Sequence, residues 1–121
     1  MITDALTHIT RDGQWYGTSL NASLDSLLEA MQRDNVDMAV LAGIPGADDD
    51  GLILQCISSN PGRFIPVAGV DISLESDALN IRLEQVKDAG FVGIKLHPRL
   101  SGVPVTHPEY RDVTRRAGQL G

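Results

Sequence analysis

Three short apolar runs recur along the chain at nearly even spacing: VDMAVLAG at 36–43, FIPVAGV at 64–70 and FVGIKLH at 91–97. Each is too short for a helix and reads as a buried strand. Pro66 weakens the second, because proline removes a ladder donor. The alternating stretch ITDALTHIT at 2–10 supplies a first strand. Strands would then begin near residues 2, 36, 64 and 91. Each is followed by an interval long enough for a crossover helix.

The intervals carry helical patterns. Asn21 or Ser23 can cap a helix whose stripe is Leu24, Leu27, Leu28 and Met31. Asp48, Asp49 and Asp50 precede Leu52, Ile53, Cys56 and Ile57, and read as acidic groups capping a helix N-terminus. Ser76 precedes Leu79, Leu83 and Val86, with Gly90 at the stop position. Pro108 opens a last helix bearing Tyr110, Val113 and Ala117. Strands joined by crossover helices must be parallel, so the chain is α/β, with four βα units. A (β/α)₈ barrel has about 250 residues, or about 31 per unit. The 121 residues therefore match half of a TIM barrel in a single domain, 1–121. The chain stops where a fifth strand falls due. The long connection from Thr10 to Asn21 is its one irregular stretch, and it holds Trp15 and Tyr16.

Composition narrows the partners. With 16 acidic and 10 basic residues the formal charge is −6. Neither nucleic acid nor an anionic membrane rewards such a balance, so neither is expected as a main partner. No run of apolar residues is long enough for a membrane span, and the N-terminus lacks the regions of a signal peptide. The lone cysteine, Cys56, sits at helical spacing among apolar neighbours and reads as a core residue in a reducing, cytoplasmic setting.

In parallel α/β folds, sites form at the C-terminal ends of strands. That selects His8 and Thr10 after strand 1, Gly43 to Gly46 after strand 2, Asp71 after strand 3, and Lys95, His97 and Arg99 at the end of strand 4. Lys95 and His97 are two apart and share a face. Taken alone, Lys95 suits a snorkelling surface lysine, His8 a hydrogen-bonded structural histidine, His107 a helix cap and Asp71 a cap of the helix that follows. The segment GIPGADDDG is unsuited to phosphate, since three aspartates follow its glycines and no cation does.

Four segments together resemble the amidohydrolase superfamily, in particular its amidohydrolase-related hydrolases and decarboxylases. TDALTHI looks like that family's strand-1 opening, an Asp then H-x-H. LLEAMQRDNVDMAVLAGIP looks like its first helix and second strand, NPGRFIPVAGVD like the turn into strand 3, and AGFVGIKLHPR like strand 4. The resemblance implies a metal-dependent hydrolase of C–N or C–O bonds, or a decarboxylase of a small carboxylated substrate. Its cofactor would be a divalent metal, usually zinc, held by two strand-1 histidines and by ligands on strands 5, 6 and 8. Carried over residue by residue, His8 matches the second strand-1 histidine, while Leu6 replaces the first. Asp4 matches the structural aspartate before the motif. Lys95 and His97 are the expected catalytic groups, and Arg99 and Trp15 the expected substrate contacts. The later ligands have no counterpart, so a homodimer or a complementing C-terminal half would have to supply them. Two other readings compete: a catalytically inactive barrel fragment or interaction remnant, and a flavodoxin- or receiver-like binding module.

Overall fold

The computed structural model describes Met1–Gly121. Its repeating event is a helix that stops sharply and hands the chain to a strand. Helix α1 (Leu24–Arg33) is capped by the Ser23 hydroxyl, which accepts from the Ser26 amide. Asn21 instead accepts from Ser23 N–H, bracing the approach. At the far end Asn35 takes a left-handed φ of 55°, and Val36 N–H bonds back to Met31 C=O. This six-to-one closure turns the chain straight into strand β2 (Met38–Ala42). Helix α3 (Ser76–Asp88) ends the same way. Gly90 sits at φ 94°, Phe91 N–H reaches Val86 C=O, and strand β4 (Gly93–Lys95) follows.

The remaining elements are β1 (Thr3–Thr7), α2 (Asp50–Ser59), β3 (Phe64–Gly69), α4 (Pro98–Ser101) and α5 (Pro108–Leu120). All four strands are parallel and lie in the order β1-β2-β3-β4. This excludes the receiver-like reading, because a doubly wound sheet reverses strand order at a switch point and this one does not. The α/β prediction holds, with two corrections. The strands are shorter than their apolar runs. A short helix, α4, also interrupts the expected alternation, because Pro98 at its first turn and the His97 side chain together start one.

Pro66 lies inside β3 without cost to the sheet. Its carbonyl accepts from Val92, and its missing N–H faces the β4 side just before β4 begins. In β1 the pairing slips between Asp4 and Thr7, and the Thr7 hydroxyl bridges the irregularity by donating to Val40 C=O.

The sheet is covered on one face. Ala39, Leu41, Phe64 and Ala68 are buried with Met31, Ile53, Cys56, Val86 and Phe91. Cys56 is thus a core residue, as its spacing predicts. The alternate residues Met38, Val40, Ile65 and Val67 are only half-buried, and Leu6 is 56% exposed. A second cluster of Val70, Ile72, Leu79, Leu83, Tyr110 and Val113 packs α5 onto α3. Arg82 on α3 pins α2 and the end of β3: its guanidinium forks onto the Asp50 carboxylate and also donates to Gly69 C=O. No helix is long and apolar enough to cross a membrane.

Candidate active site

The segments that follow β1, β2 and β4 at their C-terminal ends share one cleft of about 900 Å³, while Asp71, after β3, lies outside it. The cleft gathers His8, Trp15, Lys95, His97 and Arg99, the site residues expected from the sequence, together with Leu6, Tyr16, Leu100 and the loop Ile44–Ala47.

His8 lies one residue beyond β1. Its Nδ1 is 2.6 Å from Ala42 C=O, and a carbonyl only accepts, so Nδ1 carries the proton. The neutral ring then points the Nε2 lone pair outward. Lys95, the last residue of β4, places Nζ 2.9 Å from that nitrogen and donates to it. Lys95 is therefore turned into the cleft and not snorkelled to the surface. Burial lowers the His8 pKa below its ordinary 6.5; the bond to Ala42 works against this, and the Lys95 charge adds to it. Burial likewise lowers Lys95, against the pull of Asp49.

The irregular stretch after β1 is ordered by its own backbone. Trp15 N–H bonds Leu20 C=O, Thr10 N–H bonds Ala22 C=O, and Gln14 pairs with Asn21 antiparallel. This presents Trp15 to the site. Its ring stacks on His8 with centroids 5.6 Å apart at 27°, and Tyr16 meets Trp15 edge-on at 5.2 Å. Burial, then Asp49, raises the Tyr16 pKa.

His97 caps α4, its Nδ1 accepting from Leu100 N–H at 3.3 Å. This leaves Nε2 as the nitrogen open to chemistry. Arg99 follows on the same helix. His107, as expected, caps α5. Asp71 departs from expectation: it closes a turn onto Ser73 N–H and Oγ and does not cap α3. The acidic run lies at the N-terminus of α2 as expected, with Asp50 in its first turn. Asp49 occupies the N-cap position of α2, but its side chain makes no cap bond and reaches back to Ile44 N–H at 2.8 Å. Tyr16 lines the cleft and Asp49 stands behind its Ile44–Ala47 wall, and sequence reasoning singles out neither for the site. For Asp49 the sole signal is its place just past a strand end, where a cap is the simpler reading.

The donors present do not make a metal centre by themselves. No three side chains of His, Cys, Asp or Glu come together. Leu6 lines the cleft where a second histidine would serve, and the free nitrogen of His8 is engaged by an ammonium group. A catalytic zinc takes three protein ligands.

Parallel strands in sequential order, helices on one face and a cleft at the strand C-termini define half of a (β/α)₈ barrel. The chain belongs to the amidohydrolase family, whose sequence profile it matches over residues 4–121. Two solved structures share the fold. One is a probable 2-pyrone-4,6-dicarboxylic acid hydrolase from Acinetobacter baumannii with citric acid bound. It has a TM-score of 0.63 and 20% identity, over 98% of this chain and 46% of that one. The other is a 2,6-dihydroxybenzoate decarboxylase complexed with 2,6-dihydroxybenzoate. It has a TM-score of 0.68 and 16% identity, over 98% of this chain and 48% of that one. The chain thus spans about half the length of each. Comparison with curated proteins gives no match.

Proposed function

We propose that the cleft binds a small planar carboxylate and that the chain supplies the first half of the active site of a hydrolase or decarboxylase. The observation that carries this is the meeting of Lys95 and His8 inside a cleft that also holds Arg99 and an aromatic stack. Arg99 offers a planar fork that suits a carboxylate. Trp15, Leu6, Ile44 and Pro45 offer flat apolar surface to a ring. The two structural relatives are named for, or hold, small carboxylic acids of this kind.

In this reading, an arriving carboxylate draws the Lys95 ammonium toward itself. That frees His8 Nε2, whose lone pair is fixed outward by the Ala42 bond, to take a proton from water or from the substrate. Lys95 or His97 returns a proton to the leaving group, or to the ring carbon that has lost CO₂. A divalent metal would supply a polarised water. Holding one through His8 requires Lys95 to swing aside and at least two donors from outside these 121 residues. None of the proton transfers depends on it.

The open face of the sheet calls for a covering partner, either a second copy or a complementing half-barrel. A second functional reading, an inactive barrel fragment, is favoured by Leu6 standing where a metal-binding histidine belongs. The test that separates them is titration of the purified chain with 2,6-dihydroxybenzoate and with resorcinol, which lacks the carboxylate, read by fluorescence of Trp15, the one tryptophan. The proposal expects saturable, salt-sensitive binding of the acid alone, weakened in Arg99→Ala and Lys95→Met. Equal response to both compounds refutes it. Light scattering of the same sample reports whether a second copy covers the sheet.

A further inference from the structure

Asp49 is 9% exposed, yet only one of its carboxylate oxygens is bonded: Oδ2 accepts from Ile44 N–H at 2.8 Å, and Oδ1 has no partner. A helix cap would satisfy donors of its own first turn, and this side chain satisfies none. The peptide it grips is held from the other side as well. A Cβ at Gly69 would lie 2.6 Å from Ile44 C and 2.7 Å from Pro45 N. A Cβ at Gly43 would lie 2.7 Å from Gly69 N and 2.9 Å from Asp49 Oδ1. Two glycines therefore let the end of β3 press against the start of the β2–α2 loop, and the carboxylate closes the grip. What is fixed in this way is Ile44–Ala47, part of the lining of the cleft. Burying a carboxyl with a bare oxygen is costly; burial raises the Asp49 pKa, with the Ile44 bond the main influence against it.

We propose that Asp49 is a positioning residue of the cleft: it fixes the Ile44 amide, and with it the Ile44–Ala47 wall against which the ring of a bound carboxylate lies. This rests on the reading of the cleft as a carboxylate site. The test compares Asp49→Ala with Asp49→Asn, which keeps an oxygen acceptor for Ile44 N–H but drops the charge. Two quantities are read: hydrogen exchange at the Ile44 amide, and affinity for 2,6-dihydroxybenzoate. In Asp49→Ala, Ile44 exchange rises about tenfold or more and affinity falls about tenfold, the worth of one buried hydrogen bond. In Asp49→Asn both stay within about threefold of the parent. If Asp49→Ala shifts only the unfolding midpoint, with exchange and affinity unchanged, the role is purely structural and the proposal fails. If Asp49→Asn loses as much as Asp49→Ala, the charge and not the grip matters, and it fails again. Should Asp49→Ala not fold, Asp49→Ser, which keeps a capping hydroxyl for α2 but is too short for Ile44 N–H, takes its place with the same expected losses. If the parent chain does not bind the acid, the substrate reading falls by itself, while Ile44 exchange still judges the grip.

Discussion

Lys95 Nζ lies 2.9 Å from His8 Nε2, joining residues 87 apart in the chain. The contact requires a neutral imidazole: a proton on Nε2 would face an ammonium group. Because the fold lowers the His8 pKa, the unfolded chain binds that proton first as pH falls below 6.5. The stability that neutral His8 contributes is therefore complete above pH 6.5 and is lost as pH drops through the folded value. Lys95→Met removes the repulsion, moves the His8 titration upward toward 6.5 and narrows that window. Burial remains, so the shift is partial. An NMR titration of the His8 ring checks it, and an unchanged midpoint in Lys95→Met would count against the contact.

Leu6 and His8 share the cleft, so Leu6→His would create an H-x-H pair. Combined with Lys95→Ala, which releases His8 Nε2, it should raise zinc affinity about tenfold or more over the parent. Competition against a coloured chelator measures this. Equal affinity in parent and double variant would show that the two side chains cannot reach one ion.

Gly69 and Gly51 give opposite outcomes for the same substitution. Gly69→Ala drives a methyl into the Ile44 and Pro45 backbone and should destabilise by about 3 kcal/mol. Gly51 lies in α2 with open space where a methyl would stand, so Gly51→Ala should stabilise by about 0.5–1 kcal/mol. Urea unfolding of both variants decides, and like-signed changes would contradict the close approach at Gly69.

The half-buried Arg82 fork bonds three acceptor oxygens. Arg82→Met should cost about 1–3 kcal/mol, chiefly by stranding Asp50 and Gly69 C=O. In a double-mutant cycle with Asp50→Asn the losses should be less than additive. Full additivity would mean that the fork contributes nothing of its own.

The strands and helices are legible in the sequence because apolar runs and stripes are set by burial, and burial acts on every residue of an element. Val36, Phe64 and Phe91 each begin a run, and each lies at a strand start or within two residues of one. That His8, Lys95, His97 and Arg99 share one cleft is legible from position alone, since strand C-termini in such folds share one end. What stays hidden are single hydrogen bonds. Nothing in the run Asp48-Asp49-Asp50 says which carboxylate turns back to Ile44 and which reaches Arg82. Asp71 reads as a cap because Ser73 offers a nearer donor only once the turn has formed. Helix α4 has its signals, His97 and Pro98, but they fall at a strand end where chemistry is the first thing expected of them.

His8 and Lys95 also belong to the first and last strands of the sheet, one just past β1 and the other at the end of β4. Three strand spacings of about 4.8 Å separate those strands in a flat sheet, roughly 14 Å. Side chains rise perpendicular to a sheet, so two tips meet over that distance only above a concave surface. The bond is thus a chord drawn across an arc, possible because the four strands already curl as the wall of a barrel does.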